Sequence, residues 1–254
     1  MKIHRFISNF DLSKTELEIN DKEIVNQMKN VLRLKVGEKV ELCDGKGIST
    51  MVDIIKIEKN SINVSIKKIV KDKNKIKNNV TLFCAILKKE NFELVVQKTT
   101  ECGISKIVPI ITSRTIKNGL NMDRLRKIAK EASEQCGRIT IPEISEPIKF
   151  EEAINNLEGE TFLFDAEGEL FFETHCAGRR SKHSNSPGGE YVRVSKDNSL
   201  TTEQYSIFIG PEGAWTEEEI QKTKKLNFKT ASLGSLVLRG ETAAIVATYL
   251  VSNI

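Results

Sequence analysis

Two short stretches near the carboxyl end combine residue types that can hold a ligand. The first is Ile209-Gly210-Pro211-Glu212-Gly213-Ala214-Trp215-Thr216, and the second runs from Leu233-Gly234 through Val237-Leu238-Arg239-Gly240-Glu241 to Ala243. Glycines let a backbone approach a ligand closely, and a proline stiffens the turn. Neither stretch contains GxGxxG or the GxxxxGK of a phosphate loop, so a pyrophosphate would lack the row of N–H groups it needs. What such turns can wall in is a flat, uncharged ring such as adenine, which asks for apolar sides and a few backbone partners. Spacing alone leaves a second reading open, that of two ordinary βα turns. Arg239 and Glu241 also have two readings. Residues i and i+2 do not face each other on a helix, so they form either a plain surface pair or two groups converging on a substrate at a strand end.

Metal and thiol chemistry find less support. The cysteines 43, 84, 102, 136 and 176 show no CxxC spacing, and none pairs with His4, His175 or His183 at ligand spacing. Neither a zinc site nor a disulfide framework is expected, and small buried thiols fit better.

The elements that must position these residues follow from hydrophobic periodicity. Residues 2–7 read as a strand and 21–34 as a helix. Strands follow at 39–43, 49–57 and 61–69, the first pair joined by the turn Asp44-Gly45-Lys46-Gly47. This is a small β-rich module of about 70 residues, and the polar run 71–79 reads as a linker. Beyond it strands and helices alternate. Strands are expected at 80–86, 104–111, 161–164, 206–209 and 229–233. Helices are expected around Phe92–Thr99 (stopped by Gly103), at 121–136 (stopped by Gly137), at 150–157, from Thr216 with a capping box to Glu219, and at 241–251. Alternation of this kind means an α/β fold with a mostly parallel sheet and helices on both faces. Residues 166–204 read as a polar inserted loop. The last helix is apolar on nearly every side, which places it in a core or a subunit interface.

Composition sets the outer bounds. The chain has 254 residues, 39% hydrophobic and 29% charged, enough for a real core. The run Ile107–Ile111 is too short to span a bilayer, and the start of the chain lacks a signal-peptide stretch, so the expected compartment is the cytoplasm. The net charge of +4 is unevenly placed. Residues 1–75 carry 16 Lys and Arg against 11 Asp and Glu, and the remainder carries 23 against 24. The positive excess in the first third points to a polyanion or to a solvated lysine-rich surface.

Taken together, the motifs resemble the RsmE family, SPOUT-superfamily methyltransferases acting on N3 of a uridine in 16S ribosomal RNA. Beside the two carboxyl-terminal stretches stand Arg5, Val31-Leu32-Arg33-Leu34 and Cys43-Asp44-Gly45. Gln97-Lys98-Thr99-Thr100-Glu101-Cys102-Gly103 and Glu131-Ala132-Ser133-Glu134-Gln135-Cys136-Gly137-Arg138 complete the set. The match covers nearly the whole chain. It departs where the family commonly has a further glycine and this chain has Ala214, and in the length of 166–204.

The resemblance implies a PUA-like RNA-binding β-barrel over 1–73 and a trefoil-knotted SPOUT domain over 74–254. It also implies a homodimer formed through the knotted domain. S-adenosylmethionine is the implied cofactor, on Phe164, Ile209, Gly210, Pro211, Glu212, Gly213, Leu233, Gly234, Val237 and Leu238. Arg239 and Glu241 would be catalytic, the arginine stabilising a uridine anion and the glutamate acting as base or orienting one, with Glu212 a weaker candidate. Arg5, Arg33 and Arg138 would face RNA, although Arg33 also suits the end of a helix as a simple dipole partner. The implied partner is 16S RNA within the 30S subunit, with no membrane and no metal. Alternatives are a SPOUT enzyme acting on tRNA or a ribose 2′-OH, and a non-catalytic RNA-binding assembly factor.

Overall fold

The computed structural model describes residues 3–71, 78–116, 119–155, 157, 159–171 and 203–254. They divide into two compact units, Met1–Lys75 with Ala129–Ile141, and Ile76–Ile128 with Pro142–Ile254. His175, His183, Cys176 and most of the expected insertion lie outside the described residues.

The first unit is built on strands β1 (His4–Ile7), β2 (Glu16–Ile19), β3 (Lys39–Cys43), β4 (Ile48–Ile57) and β5 (Ile62–Lys71). Their order is β1-β3-β4-β5-β2, with β1 parallel to β3 and the other pairs antiparallel. The sheet wraps one core: Phe6, Ile19, Val40, Leu42, Val52, Ile54, Ile62 and Val64 come from all five strands, and Ile24, Val25 and Met28 from the helical segment. Strand β2 is absent from the sequence reading. It is a short edge strand whose Glu16 and Glu18 stay exposed while Ile19 is buried, and charges of this kind blunt a sheet edge.

The helix expected at 21–34 is shorter than its periodicity suggests. The Asp21 carboxylate accepts from the Glu23 and Ile24 N–H groups and starts α1 (Lys22–Asn26). The chain then widens into a π turn over Gln27–Val31, closed by the Leu32 N–H on the Gln27 carbonyl. Arg33 adopts φ +54°, and the helix ends there.

The second unit alternates strand and helix. In chain order it runs β6 (Asn78–Ala85), α2 (Lys89–Cys102), β7 (Lys106–Ile111), α3 (Met122–Cys136), β8 (Glu143–Ile144), β9 (Ile148–Lys149) and α4 (Phe150–Ala153). It continues through β10 (Glu160–Leu170), β11 (Glu203–Ile209), α5 (Glu217–Lys225), β12 (Lys229–Ser232) and α6 (Gly240–Ser252). The second half of α3 is counted with the first unit. The strands stand in the order β12-β10-β11-β6-β7-β8, with β9 also on β7, and every pairing described among them is parallel. Gly103 at φ +101° ends α2 as expected, its N–H reaching back to the Thr100 carbonyl.

Helices cover both faces. Phe83, Ala85, Val108, Leu163 and Phe208 pack with Phe150 and Ala153 of α4, Ile220 of α5 and Trp215 on one side. Successive strand residues point to opposite faces, so Leu82 and Cys84 look the other way. That side receives α6, which packs on β6, β11 and α2. The chain thus leaves the edge strand β12 and doubles back to the sheet centre, the path the expected knot requires. Only one face of α6 is buried, through Glu241, Ala244, Ala247, Thr248, Val251 and Ser252. Tyr249 is exposed, so the helix is not core on every side.

Strand β10 runs past Phe164 to Leu170. Phe164 and Glu169 both stand opposite Ala231, so Asp165–Gly168 bulge out between them. The expected insertion therefore begins as strand, and its last residues belong to β11.

Candidate functional site

One register line fixes the geometry. Ala231 of β12, Phe164 of β10, Ile209 of β11, Cys84 of β6 and Pro109 of β7 are consecutive partners across the sheet. Because these strands are parallel, their following loops leave the same edge, where ligands bind in open α/β sheets. The two stretches singled out in the sequence are two of those loops, and the structure brings them together. A Cβ placed on Gly240 would lie 2.9 Å from a Leu87 methyl and 3.6 Å from the Gly210 carbonyl. The Lys88 N–H points at the Glu212 carboxylate at 3.4 Å. Loops 86–88, 210–216 and 233–240 therefore share one place.

Loop 210–216 is tightly held. The Ala214 N–H donates to the Pro211 carbonyl at 3.0 Å, closing a turn. The Trp215 indole N–H donates to the Phe164 carbonyl at 3.1 Å, and Gly210 packs so closely on the indole that a Cβ would stand 3.0 Å from the ring. Glu219 is only 2% exposed. Its carboxylate accepts from the Thr216 N–H (2.8 Å), completing the capping box of α5, and from the Ser113 N–H (2.9 Å) in the loop after β7. Next to it, Arg114 Nη1 donates to the Gly213 carbonyl at 2.5 Å and the Trp215 carbonyl at 3.3 Å. The capping box is legible in the sequence. Arg114 and the Ser113 contact are not, because nothing in the Thr112–Thr115 spacing marks a residue that works on a loop a hundred positions away.

Loop 233–239 is open by contrast. Leu236 and Val237 are 78% and 86% exposed, and Arg239 is exposed at the N-cap of α6. Leu233 and Gly234 are half-buried, and Gly234 exchanges hydrogen bonds with the Ser232 hydroxyl. Glu241, two residues beyond Arg239, is 8% exposed, and its Oε2 has no hydrogen-bond partner. A buried carboxylate oxygen without a partner is costly and points to a missing donor or cation. Cys84 is buried, and its thiol feels the charges of both Glu212 and Glu241. Burial pushes that thiol well up, and the two carboxylates push it further, which leaves it inert.

The RNA-facing candidates lie in the first unit. Arg5 donates through Nε and Nη2 to Glu41 at 3.0 and 2.6 Å, so much of its charge is already paired. A Cβ on Gly137 would touch Arg5 Nη1 at 3.1 Å, which brings Arg5 beside the segment carrying Arg138. The Ile7 N–H donates to Glu134 at 2.8 Å. Burial raises the Glu134 carboxyl above the ordinary range, and that hydrogen bond holds it back in part. Burial and the Glu41 charge push the neighbouring Cys43 thiol up to about 12. Arg33 stands on another loop, exposed beside Lys35, Val31 and Val36. Among the described residues no cluster of three metal-binding side chains occurs, and no helix is long and apolar enough to cross a membrane.

Comparison with known proteins agrees with this arrangement. The RNA methyltransferase domain family matches residues 74–252, and the RNA methyltransferase PUA domain family matches residues 19–67. The ribosomal RNA small subunit methyltransferase E of Rickettsia conorii is 34% identical over 97% of this chain and 94% of its own length. The protein of the same name from Bacillus subtilis is 25% identical over 91% and 87%. A crystal structure of ribosomal RNA small subunit methyltransferase E from Neisseria gonorrhoeae, bound to S-adenosyl methionine, superposes with a TM-score of 0.80 at 25% identity, covering 99% of this chain and 98% of that one. With its two modules in that order and its strand-end loops converging, the chain belongs to the RNA methyltransferase family.

Proposed function

We propose that the chain transfers a methyl group from S-adenosylmethionine to N3 of a uridine in the 16S RNA of the small ribosomal subunit. The observation that carries this is the convergence of loops 86–88, 210–216 and 233–240 around a buried carboxylate that lacks a partner. The residues present suit the cofactor. Gly210 and Gly240 leave no room for side chains of their own where the loops meet, Leu236, Val237 and Leu238 offer apolar surface to a flat ring, and Glu212 and Glu241 offer negative charge to a cation. S-adenosylmethionine supplies an electrophilic methyl group on a sulfonium.

The residues of this chain do the rest. Uridine N3 carries a proton that must leave before nitrogen can act as a nucleophile. The Glu241 carboxylate takes that proton, and the exposed Arg239 guanidinium stabilises the anion left on the base. Arg239 is also the N-cap of α6, so the positive end of the helix dipole adds to the same field. Phe164, Ile209, Pro211, Gly213, Leu233 and Gly234 belong to the strand ends and turns that place the donor. Holding nucleophile, methyl carbon and sulfur in line supplies most of the acceleration.

The basic front module, residues 1–73, holds the RNA through phosphate contacts that weaken steeply with salt, with Arg33 and the unpaired part of Arg5 as contacts and Arg138, from the segment 129–141 that groups with this module, beside them. Residues 74–254 carry the reaction, in a homodimer joined through the exposed face of α6. The work is cytoplasmic, on the assembled 30S subunit. Mass spectrometry of 16S nucleosides from a strain lacking the gene tests the reading: 3-methyluridine should vanish and return on complementation. Its persistence would overturn the assignment, and a purified chain that fails to bind S-adenosylmethionine would favour an RNA-binding assembly factor.

A further inference from the structure

Ala214 is one of three non-glycine residues with positive φ among the described residues, at +60°. A Cβ in the left-handed region crowds the following carbonyl, so the backbone there tends to relax unless something holds it. What holds it is visible. The two carbonyls that bracket Ala214, those of Gly213 and Trp215, both accept from Arg114 Nη1. One nitrogen with two hydrogens thus pins the peptide just before the strained residue and the one that follows Trp215. The anchor of this clamp is itself fixed. The Thr112 and Thr115 side chains bond to each other, the Thr115 hydroxyl also accepts from the Thr112 N–H, and the Ser113 N–H is held by Glu219.

We propose that Arg114 is a positioning residue for the cofactor loop: it holds Ala214 in its left-handed conformation and so keeps Gly210–Trp215 in the shape that binds the methyl donor. The connection is short. Trp215 carries the bond to the Phe164 carbonyl and the ring against which Gly210 packs. If Ala214 relaxes, Trp215 shifts, and both walls shift with it. Glycine adopts this φ without strain and needs no clamp, whereas alanine needs one. The inference rests on loop 210–216 binding the cofactor.

Trp215 is the sole tryptophan of the chain and is buried, so its fluorescence reports on this loop even without ligand. In Arg114→Ala the emission should move to the red and become quenchable by acrylamide. Calorimetric affinity for S-adenosylmethionine should fall by about tenfold to a hundredfold, the size expected for charge-assisted hydrogen bonds. KM for the donor should rise while kcat changes less. Arg114→Lys should recover part of the loss, since an ammonium can still donate to both carbonyls. Adding Ala214→Gly to Arg114→Ala should restore most of both signals, because the loop no longer needs holding.

A wild-type chain that binds no S-adenosylmethionine would remove the premise, and the fluorescence shift would still test the clamp. Wild-type binding with unchanged emission and affinity in Arg114→Ala would overturn the proposal. So would simple additivity of the two substitutions. A rise in KM for RNA alone, with unaltered donor affinity, would instead make Arg114 an RNA contact and likewise overturn it.

Discussion

The two loops that meet at the strand ends are built in opposite ways. Loop 210–216 is bound to its surroundings through Arg114, Glu219, the Trp215 indole and its own turn, while the bonds described for loop 233–239 are local, those of Gly234 with the Ser232 hydroxyl and of the Arg239 carbonyl with the Ala243 N–H. The first is a wall whose shape exists before any ligand arrives. The second carries exposed Leu236, Val237 and Arg239, and its apolar surface stays in water until something covers it. A preformed wall lowers the ordering cost of binding, and a free one lets a large RNA substrate and a small cofactor enter the same space. The difference teaches that conformational precision and chemical reactivity need not sit in the same loop.

Arg239→Ala should separate the two most sharply. Methyl transfer to 30S subunits should fall about 100- to 1000-fold, the loss typical of one group that stabilises developing charge. Donor affinity and melting temperature should stay near wild type. A large fall in melting temperature would mean that loop 233–239 is not free. The mirror-image change is Glu219→Ala, in the first turn of the helix that anchors the fixed loop. It removes a helix cap and leaves the Ser113 and Thr216 N–H groups unsatisfied, so denaturant unfolding should show a loss of about 2 kcal/mol. Near-wild-type stability would remove Glu219 from its role as the staple of that wall.

Smaller effects refine the contrast. Val237→Ser should change stability by no more than about 0.5 kcal/mol, as for other surface positions, yet it should weaken donor binding measurably by calorimetry. Unchanged binding would leave the apolar side chains of loop 233–239 without a ligand to cover. The smallest effect concerns pH. Lys222 of α5 pairs with Glu151 at 3.0 Å, and that bond holds the Glu151 carboxyl below its ordinary 4.5. Stability from the pair is therefore present above about pH 4.5 and is lost as pH falls through the lowered value. The melting temperature gap between wild type and Lys222→Ala should be small at neutral pH and close on acidification. A gap that widens in acid would reverse the assignment.

Much of this was legible from residue types. Val80–Ile86 reads as a strand buried on both faces, and β6 (Asn78–Ala85) is one from Leu82 to Ala85, starting two residues earlier and ending one residue sooner than expected. Thr216 with Glu219 announces a helix start, and Gly103 and Gly137 announce helix ends. The two loops stand out by their glycines. Other features depend on contacts between distant positions, which no local pattern encodes. The π turn after Asn26 breaks a period that continues in the sequence to Leu34. Residues 129–141 group with the front unit, where Ile139 packs on Ile7 and Cys43, although their sequence reads as the end of an ordinary helix. Arg114 reads as one more loop cation, and the cross-strand level that unites Phe164, Ile209 and Ala231 exists only once the sheet has formed.

That sheet also governs how the molecule is made. Its central neighbours β6 and β11 pair Asn78 with Glu203, so the middle of the structure cannot close until most of the polypeptide is available. Such topologies have high contact order and fold slowly, leaving unpaired strand edges exposed in the meantime. Renaturation from denaturant should accordingly lag far behind that of a helical bundle of equal size, and aggregation should compete with it as concentration rises.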